Sequence, residues 1–372
     1  MNDFKKWWIA FVHDWIFHIG WAEAVFFDLI KQHTNLDQDE KVYTLFSDRE
    51  EIQVDGYAYE IITALPWRLN KIFVRWSSAT KTETKVYGEN LLKKLFDYRN
   101  LIVFYPQLCW LLRRKVMATS PSHIIISSFA AAKNIIPYWV SKPNNMEVIL
   151  YLHSPNQYIR ENHSEYRKKF SSRQRIIFDR IVPYLRTRDS KHRQYNKVMT
   201  NSKYTAGLAN KYYGIQHTTV LYPLLHEKFT TTQPASMSRN YFLYLGRLTT
   251  FVREVDVIIT LFNELQLPLL IAGSGPDAQY LKSIAGPTIT FVWSVTDIDT
   301  KIDLIKHARW LINLSLESCG IATMEALALW VPVFGYNAGG TAELVWPDQW
   351  VLVESKDGES LKKWFAKFIL DY

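Results

Sequence analysis

Cysteine is almost missing from this chain of 372 residues: Cys109 and Cys319 are the whole complement, far apart and in no CxxC or zinc-like spacing. That excludes a disulfide-stapled scaffold and points to a reducing, cytoplasmic setting. No uncharged apolar run reaches the roughly eighteen residues that read as a membrane-spanning helix. The segment Trp7–Val12 is a short apolar stretch that runs straight into His13-Asp14 with no small-residue cleavage site, so it reads as a buried first strand rather than a secretion signal. Internal repeats and low-complexity segments are absent as well. Zinc-finger, RNP and basic-zipper signatures are lacking, which removes the strongest reasons to expect a nucleic-acid partner.

What is present is a long chain of ordinary apolar content, 48%, with a high aromatic share, 15%. It is long enough for two domains, each with its own core. The net charge of +8 is concentrated: Arg160 to Lys197 holds twelve Lys or Arg against four Asp or Glu. A pair of solvated helices would look like this, and so would a basic face for an anionic membrane.

Short apolar runs alternate with helical patterns throughout. Strands are expected at Trp7–Val12, Val42–Phe46, His123–Ser127, Val148–His153 and Val198–Asn201, with a helix at Ala22–Gln32. Residues Glu83–Lys115 and Ile159–Tyr195 read as largely helical. In the second half, strands are expected at Tyr241–Leu245, Leu269–Ala272, Thr288–Val292, Leu311–Leu314, Val331–Phe334 and Val351–Val353. Near-continuous apolar strands imply parallel sheets covered on both faces. The expectation is an α/β chain of two Rossmann-like domains facing a central cleft, with ligands at the carboxyl ends of the strands. Residues 1–229 form the first domain, 230–239 the linker, 240–356 the second domain, and 357–372 a terminal helix that packs back.

Glu317 and Glu325 stand eight positions apart around Gly320-Ile321. On one helix they would be separated by about 80° and about 12 Å. Glu317 instead falls in the loop after the strand at Leu311–Leu314, while Gly320 opens the helix that carries Glu325. The free backbone N–H groups of Cys319, Gly320 and Ile321 at that helix start suit phosphate or sugar oxygens. Asp297-Ile298-Asp299 has the look of a D-x-D metal site, yet it reads better as a helix cap.

The glutamate spacing resembles the E-x7-E signature of family-four retaining glycosyltransferases of the GT-B fold. Tyr244-Leu245-Gly246-Arg247, Ile271-Ala272-Gly273-Ser274-Gly275-Pro276 and Asn337-Ala338-Gly339-Gly340-Thr341-Ala342-Glu343 are similar to that family's other loops. So are Val12-His13-Asp14-Trp15, Gly20-Trp21-Ala22-Glu23, Tyr151-Leu152-His153-Ser154-Pro155 and Thr200-Asn201-Ser202-Lys203-Tyr204-Thr205. The similarity runs in order over nearly the whole chain and is weakest from about Arg49 to Pro121. It is nearest to the branch that builds bacterial surface polysaccharides, including mannosyltransferases.

The resemblance implies a hexosyltransferase, with catalytic roles for His153, Glu317 and Arg247. Gly20, Arg247, Arg253, Gly273, Cys319, Gly320, Ile321 and Glu325 would bind the nucleotide-sugar, Glu325 at the ribose. Arg253 stands in for the lysine that the family usually has, in a loop one residue longer than expected. The nucleotide-sugar is a co-substrate, and neither a metal nor a further cofactor is expected. The resemblance implies the donor and a glycan or lipid-linked acceptor as partners; the basic charge of Arg160–Lys197 adds an anionic membrane, on the inner face of the cell membrane. A GT-B sugar-nucleotide epimerase and a non-catalytic glycan- or membrane-binding relative are the alternatives.

Trp21, Trp293, Trp330 and Trp350 stand where the family commonly has glycine. Trp330 ends a helix before a strand, a place that commonly demands the left-handed conformation. Where UGA encodes glycine, translating it as tryptophan yields this pattern; a diverged relative with refilled loops yields it too. The coding DNA decides between them.

Overall fold

The computed structural model describes residues 8–17, 19–33, 40–75, 98–137, 139–168, 170–191, 194–233, 240–293, 295, 297–345 and 351–368. The chain divides into two compact units, residues 1–201 with 205–221, and residues 202–204 with 222–372. Residues 222–229 therefore group with the second unit. The helix Glu227–Thr231 explains this, because Phe229 is buried in a core with Leu243, Leu311 and Val333. Most of the expected linker, from residue 234 to 239, lies outside the described residues.

The first unit is built on eight strands: β1 Ile9–Ile16, β2 Glu40–Ser47, β3 Glu51–Val54, β4 Tyr57–Thr63, β5 His123–Ser128, β6 Glu147–Leu152, β7 Lys197–Thr200 and β8 Thr219–Val220. Their order is β3-β4-β2-β1-β5-β6-β7-β8, and every pairing is parallel except β3 with β4. The central strands read as apolar runs because both faces are covered. Phe11, Ile125, Phe26 and Phe27 pack on one side, and Ala10, Val12, Ile124, Leu112 and Leu108 on the other.

The β3–β4 hairpin was not expected from apolar runs, yet its signal is present. Ile52 and Val54 are buried while Glu51 and Gln53 are exposed, and the turn is Asp55-Gly56 with φ of 49° and 84°. Two positive φ values in a two-residue loop are what a type I′ hairpin needs, and Asp-Gly supplies them.

The second unit carries a six-stranded sheet: β9 Tyr241–Leu245, β10 Leu269–Ala272, β11 Ile289–Val292, β12 Ala308–Asn313, β13 Val333–Tyr336 and β14 Val351–Val353. The order is β11-β10-β9-β12-β13-β14, parallel throughout. The terminal helix Gly358–Phe368 packs within this unit, with the Phe365 ring 5.1 Å from Phe242, 5.4 Å from Phe262 and 5.3 Å from Phe334. Both sheets are those of the expected two-domain α/β architecture. Among the described residues, no helix is long and apolar enough to cross a membrane.

The helix Ile321–Ala328 ends as its sequence implied. Trp330 N–H donates to the Leu327 carbonyl at 3.1 Å and Val331 N–H to Ala326 at 2.9 Å, with Trp330 at φ 55°. That pair of bonds around a left-handed residue is a Schellman motif, whose central position favours glycine. The strand that follows starts at Val333 rather than Val331, because the first two residues complete the motif; the Pro332 carbonyl then accepts from Leu311 N–H at 2.8 Å. Trp21 and Trp293 are exposed but are not left-handed, so backbone geometry asks for glycine only at residue 330 of the three. Trp350 lies outside the described residues.

Trp330 is 64% exposed, so its indole contributes little burial to set against the backbone cost. A side chain in the left-handed region costs roughly 1–2 kcal/mol, partly offset by the greater freedom glycine gives the unfolded chain. Trp330→Gly should stabilise the second unit by about 1 kcal/mol, read as a higher urea midpoint with an unchanged slope. A lowered midpoint would show that the indole packs more than its exposure implies.

Candidate active site

In the first unit, the expected histidine sits at the end of β6. His153 is 7% exposed, and its Nε2 lies 2.7 Å from the Ser127 hydroxyl. Ser127 also lies 3.1 Å from Nδ1 of His13, whose Nε2 faces the Glu23 carboxylate at 3.8 Å. Phe26 stacks on the His13 ring at 4.8 Å. If His13 carries its proton on Nε2, the side that faces Glu23, its Nδ1 accepts from the Ser127 O–H. Ser127 then accepts from His153 Nε2–H, and the free lone pair of His153 resides on Nδ1. Burial, with His13 nearby, pushes the His153 pKa down to about 3, so the ring is neutral around pH 7. A neutral ring suits contact with a sugar hydroxyl better than proton donation.

Glu23 also accepts from Gly20 N–H at 3.0 Å, fixing the loop that opens the helix Trp21–His33. The Trp21 indole is 43% exposed at that start. Asp14, beside His13 on β1, is wholly buried. Its Oδ2 accepts N–H groups from Phe129 and Ala130 at 2.6 and 2.9 Å, and its Oδ1 those of Ala131 and Ala132 at 2.6 and 2.5 Å. One carboxylate thus satisfies four donors in the turn after β5.

In the second unit, the loops after neighbouring parallel strands bring together most of the residues singled out in the sequence. Glu317 follows β12, and its two oxygens take an ion pair from Arg253 and a hydrogen bond from the Asn313 amide. Asn313 also reaches the hydroxyls of Thr323 at 3.1 Å and Thr341 at 3.3 Å. Gly340 N–H donates to the Glu317 carbonyl at 2.7 Å. Two close backbone approaches set this geometry. A Cβ on Gly340 would stand 2.4 Å from the Cys319 Cα, and one on Gly273 would stand 1.9 Å from the Gly246 carbonyl oxygen. Neither position tolerates a side chain.

Gly320, at φ 79°, precedes the helix Ile321–Ala328. Among the described residues, the backbone N–H groups of Cys319, Gly320 and Ile321 have no protein acceptor. Burial, with Glu317 and Glu343 nearby, pushes the Cys319 thiol up to about 12, so it is a thiol rather than a thiolate around pH 7. Arg247, in the loop after β9, has an exposed side chain. Arg253 precedes Glu254, which is left-handed at φ 52° and tied to Lys356 at 2.7 Å. That strained residue turns the extra-long loop so that Arg253 meets Glu317.

Glu325 is fully buried and pairs with Lys301 of the helix Ile298–Lys306, a partner that sequence spacing gave no reason to expect. Its second oxygen, Oε2, is buried with no hydrogen-bond partner. Burial raises the Glu325 pKa to about 7 despite Lys301, and lowers that of Lys301. Asp297 caps the Ile298–Lys306 helix by accepting from Thr300 N–H at 2.7 Å, and Asp299 pairs with Lys228 at 2.7 Å. Among the described residues, no group of three or more His, Cys, Asp or Glu could hold a metal ion.

Two units on largely parallel sheets, with glycine-tight loops and a carboxylate held after a central strand, match the GT-B fold of solved structures. Residues 227–372, within the second unit, match the family described as glycosyl transferases group 1. Among solved structures, the Anabaena protein HepE in complex with UDP and glucose is similar at 16% identity and a TM-score of 0.62, over 98% of this chain and 90% of that one. WaaG, a glycosyltransferase involved in lipopolysaccharide biosynthesis, is similar at 14% identity and 0.61, over 96% and 90%. The α,α-trehalose 6-phosphate synthase of Burkholderia multivorans is similar at 10% identity and 0.60, over 97% and 90%. No curated protein matches the sequence.

The Glu325 shift has a definite sign. Between about pH 4.5 and 7 the folded state binds this proton and the unfolded state does not, so stability falls as pH rises. Glu325→Gln should flatten that decline in denaturant titrations of the second unit at pH 5 and pH 7.5. An undiminished decline would place the responsible group elsewhere.

Proposed function

We propose that the chain moves a sugar, with retention, from a nucleotide-sugar to a cell-envelope polysaccharide or lipid-linked glycan. The buried, unpartnered Oε2 of Glu325 below the start of the Ile321–Ala328 helix carries this reading. A carboxylate oxygen without a donor costs several kcal/mol in a dry site and calls for hydroxyls, which a ribose diol supplies. The free N–H groups at Cys319, Gly320 and Ile321 then receive donor oxygens, as a helix start does. Arg247, with Arg253, neutralises the departing nucleoside diphosphate, a contact of the kind typically worth on the order of a hundredfold in rate. Glu317 orients the sugar hydroxyls, and the neutral His153 contacts the sugar near the reacting carbon.

HepE holds UDP and glucose, which makes uridine the first base to test. Mannose is the sugar suggested by the sequence resemblance. No step in this assignment calls on a metal.

A thermal-shift panel of UDP-, GDP- and ADP-sugars identifies the donor. Glu325→Ala should then weaken that nucleotide about tenfold, the loss expected for one or two hydrogen bonds. The fold should be retained; unchanged affinity would remove Glu325 from the ribose. Donor hydrolysis with and without acceptor separates transfer from epimerisation and from inert binding.

The basic segment Arg160–Lys197 is proposed to rest on anionic lipid. Ile176, Ile177 and Tyr184 are exposed along its helix Ser172–Asp189, among the arginines. Binding to anionic vesicles should fall steeply between low and physiological salt, where charges are screened within about 8 Å. Equal binding to neutral vesicles would rule this out.

A further inference from the structure

We infer that Glu23 and His13 are positioning residues that set, through Ser127, which ring nitrogen His153 offers to a substrate, so that this contact selects a free hydroxyl. The inference rests on the transferase reading above for what that nitrogen meets, and it adds the chemistry of the contact. Ser127 is wholly buried, and its hydroxyl lies 3.1 Å from His13 Nδ1 and 2.7 Å from His153 Nε2. Among the described residues this hydroxyl has no third partner. A serine has one hydrogen to give, and a buried O–H that gives it to nothing is costly. Ser127 therefore donates to one ring and accepts from the other, which leaves two arrangements. In the first, His13 carries its proton on Nε2, Ser127 donates to His13 Nδ1, and His153 donates from Nε2 and keeps a lone pair on Nδ1. In the second, each of these bonds is reversed and His153 Nδ1 carries the proton.

Glu23 decides between them. His13 Nε2 is buried with no hydrogen-bond partner, and the group that faces it is the Glu23 carboxylate at 3.8 Å. That separation is too long for a hydrogen bond. In a buried setting the sign of the interaction still counts, because a carboxylate attracts an N–H and repels a lone pair. Gly20 N–H holds the other carboxylate oxygen at 3.0 Å, so the carboxylate is fixed in place. Phe26 stacks on the His13 ring at 4.8 Å and Phe129 meets it edge-on at 5.7 Å, which keeps the ring from turning. The first arrangement follows. His153 Nδ1 has no protein partner among the described residues, and burial holds the ring neutral around pH 7. A lone pair on a neutral ring accepts from an O–H and repels an ether or carbonyl oxygen. The substrate therefore presents a free hydroxyl at this contact.

The test is long-range proton–nitrogen NMR of the full chain carrying labelled histidine, at pH 7 and without ligand, with His13→Gln and His153→Gln to identify the two rings. Both rings should show a protonated Nε2 and a bare Nδ1. Glu23→Gln can keep its oxygen on Gly20 N–H while its amide N–H faces His13 Nε2, so both rings should switch to a protonated Nδ1, with unchanged circular dichroism. Glu23→Asp retains the charge and should retain the native tautomers. In a Ser127→Ala background, Glu23→Gln should leave His153 unmoved, because the connecting hydroxyl is gone. A native His13 protonated on both nitrogens, or a native His153 protonated on Nδ1, would overturn the inference. So would a folded Glu23→Gln variant with the native His153 tautomer, or a response of His153 that survives the loss of Ser127. For the donor that the nucleotide-sugar panel identifies, Glu23→Gln should weaken binding about tenfold, the loss of about one hydrogen bond. Unchanged affinity in a variant whose tautomers have switched would overturn the hydroxyl contact. The spectra need no nucleotide, which keeps the two readings apart. The expected tautomers with no nucleotide response refute the transferase assignment alone, and the reverse refutes this inference alone.

Discussion

The Asp14 carboxylate organises the first unit. A buried carboxylate is costly unless its lone pairs are occupied, and here four consecutive N–H groups from Phe129 to Ala132 occupy them. The bonds pin the turn after β5 to the end of β1. Because side chains alternate along a strand, the neighbour His13 projects to the opposite face, where it meets Ser127 and, through it, His153. Two adjacent residues of one strand thus fix the backbone of the turn and meet the hydroxyl that faces His153. Loss of the carboxylate would leave four buried donors unpaired and would shift Ser127 along with the turn that follows it.

The second unit solves the same problem with missing side chains. Loops after β9, β10, β12 and β13 approach until backbone meets backbone, which Gly273 and Gly340 permit. Charged groups then fit into the frame: Arg253 and Asn313 hold Glu317, and Lys301 holds Glu325. Each Glu317 oxygen has a protein partner, whereas Glu325 is buried with one oxygen unpartnered. The two glutamates of one motif therefore differ in how their oxygens are used.

The parallel sheets were legible because doubly covered strands are written as apolar runs bounded by turn residues. The β3–β4 hairpin was harder to see because only one face of it is buried, and its alternation is split by Asp55-Gly56. Motif residues in the loops were legible where a glycine or a charge was required by local geometry. Their supports were not: Ser127 is 26 positions from His153, and Lys301 is 24 from Glu325. Such partners are assigned by topology and leave no local trace. Trp330 is the instructive case, since a left-handed helix end was legible from the helix-to-strand handover alone. Trp21 and Trp293 carried no such backbone demand, and resemblance alone had marked them.

The two thiols, one in each unit, bear on how this molecule can be followed in solution. Cys109 is buried under the helix that carries it, with its thiol 3.3 Å from the Ala131 carbonyl, and Cys319 lies beneath the Gly339-Gly340 turn. Neither reacts until its own surroundings open. A thiol reagent added to the native chain therefore acts as a pair of independent clocks. The Cys109 labelling rate times the opening of the turn that Asp14 holds, and the Cys319 rate times the release of the loop that carries Glu317.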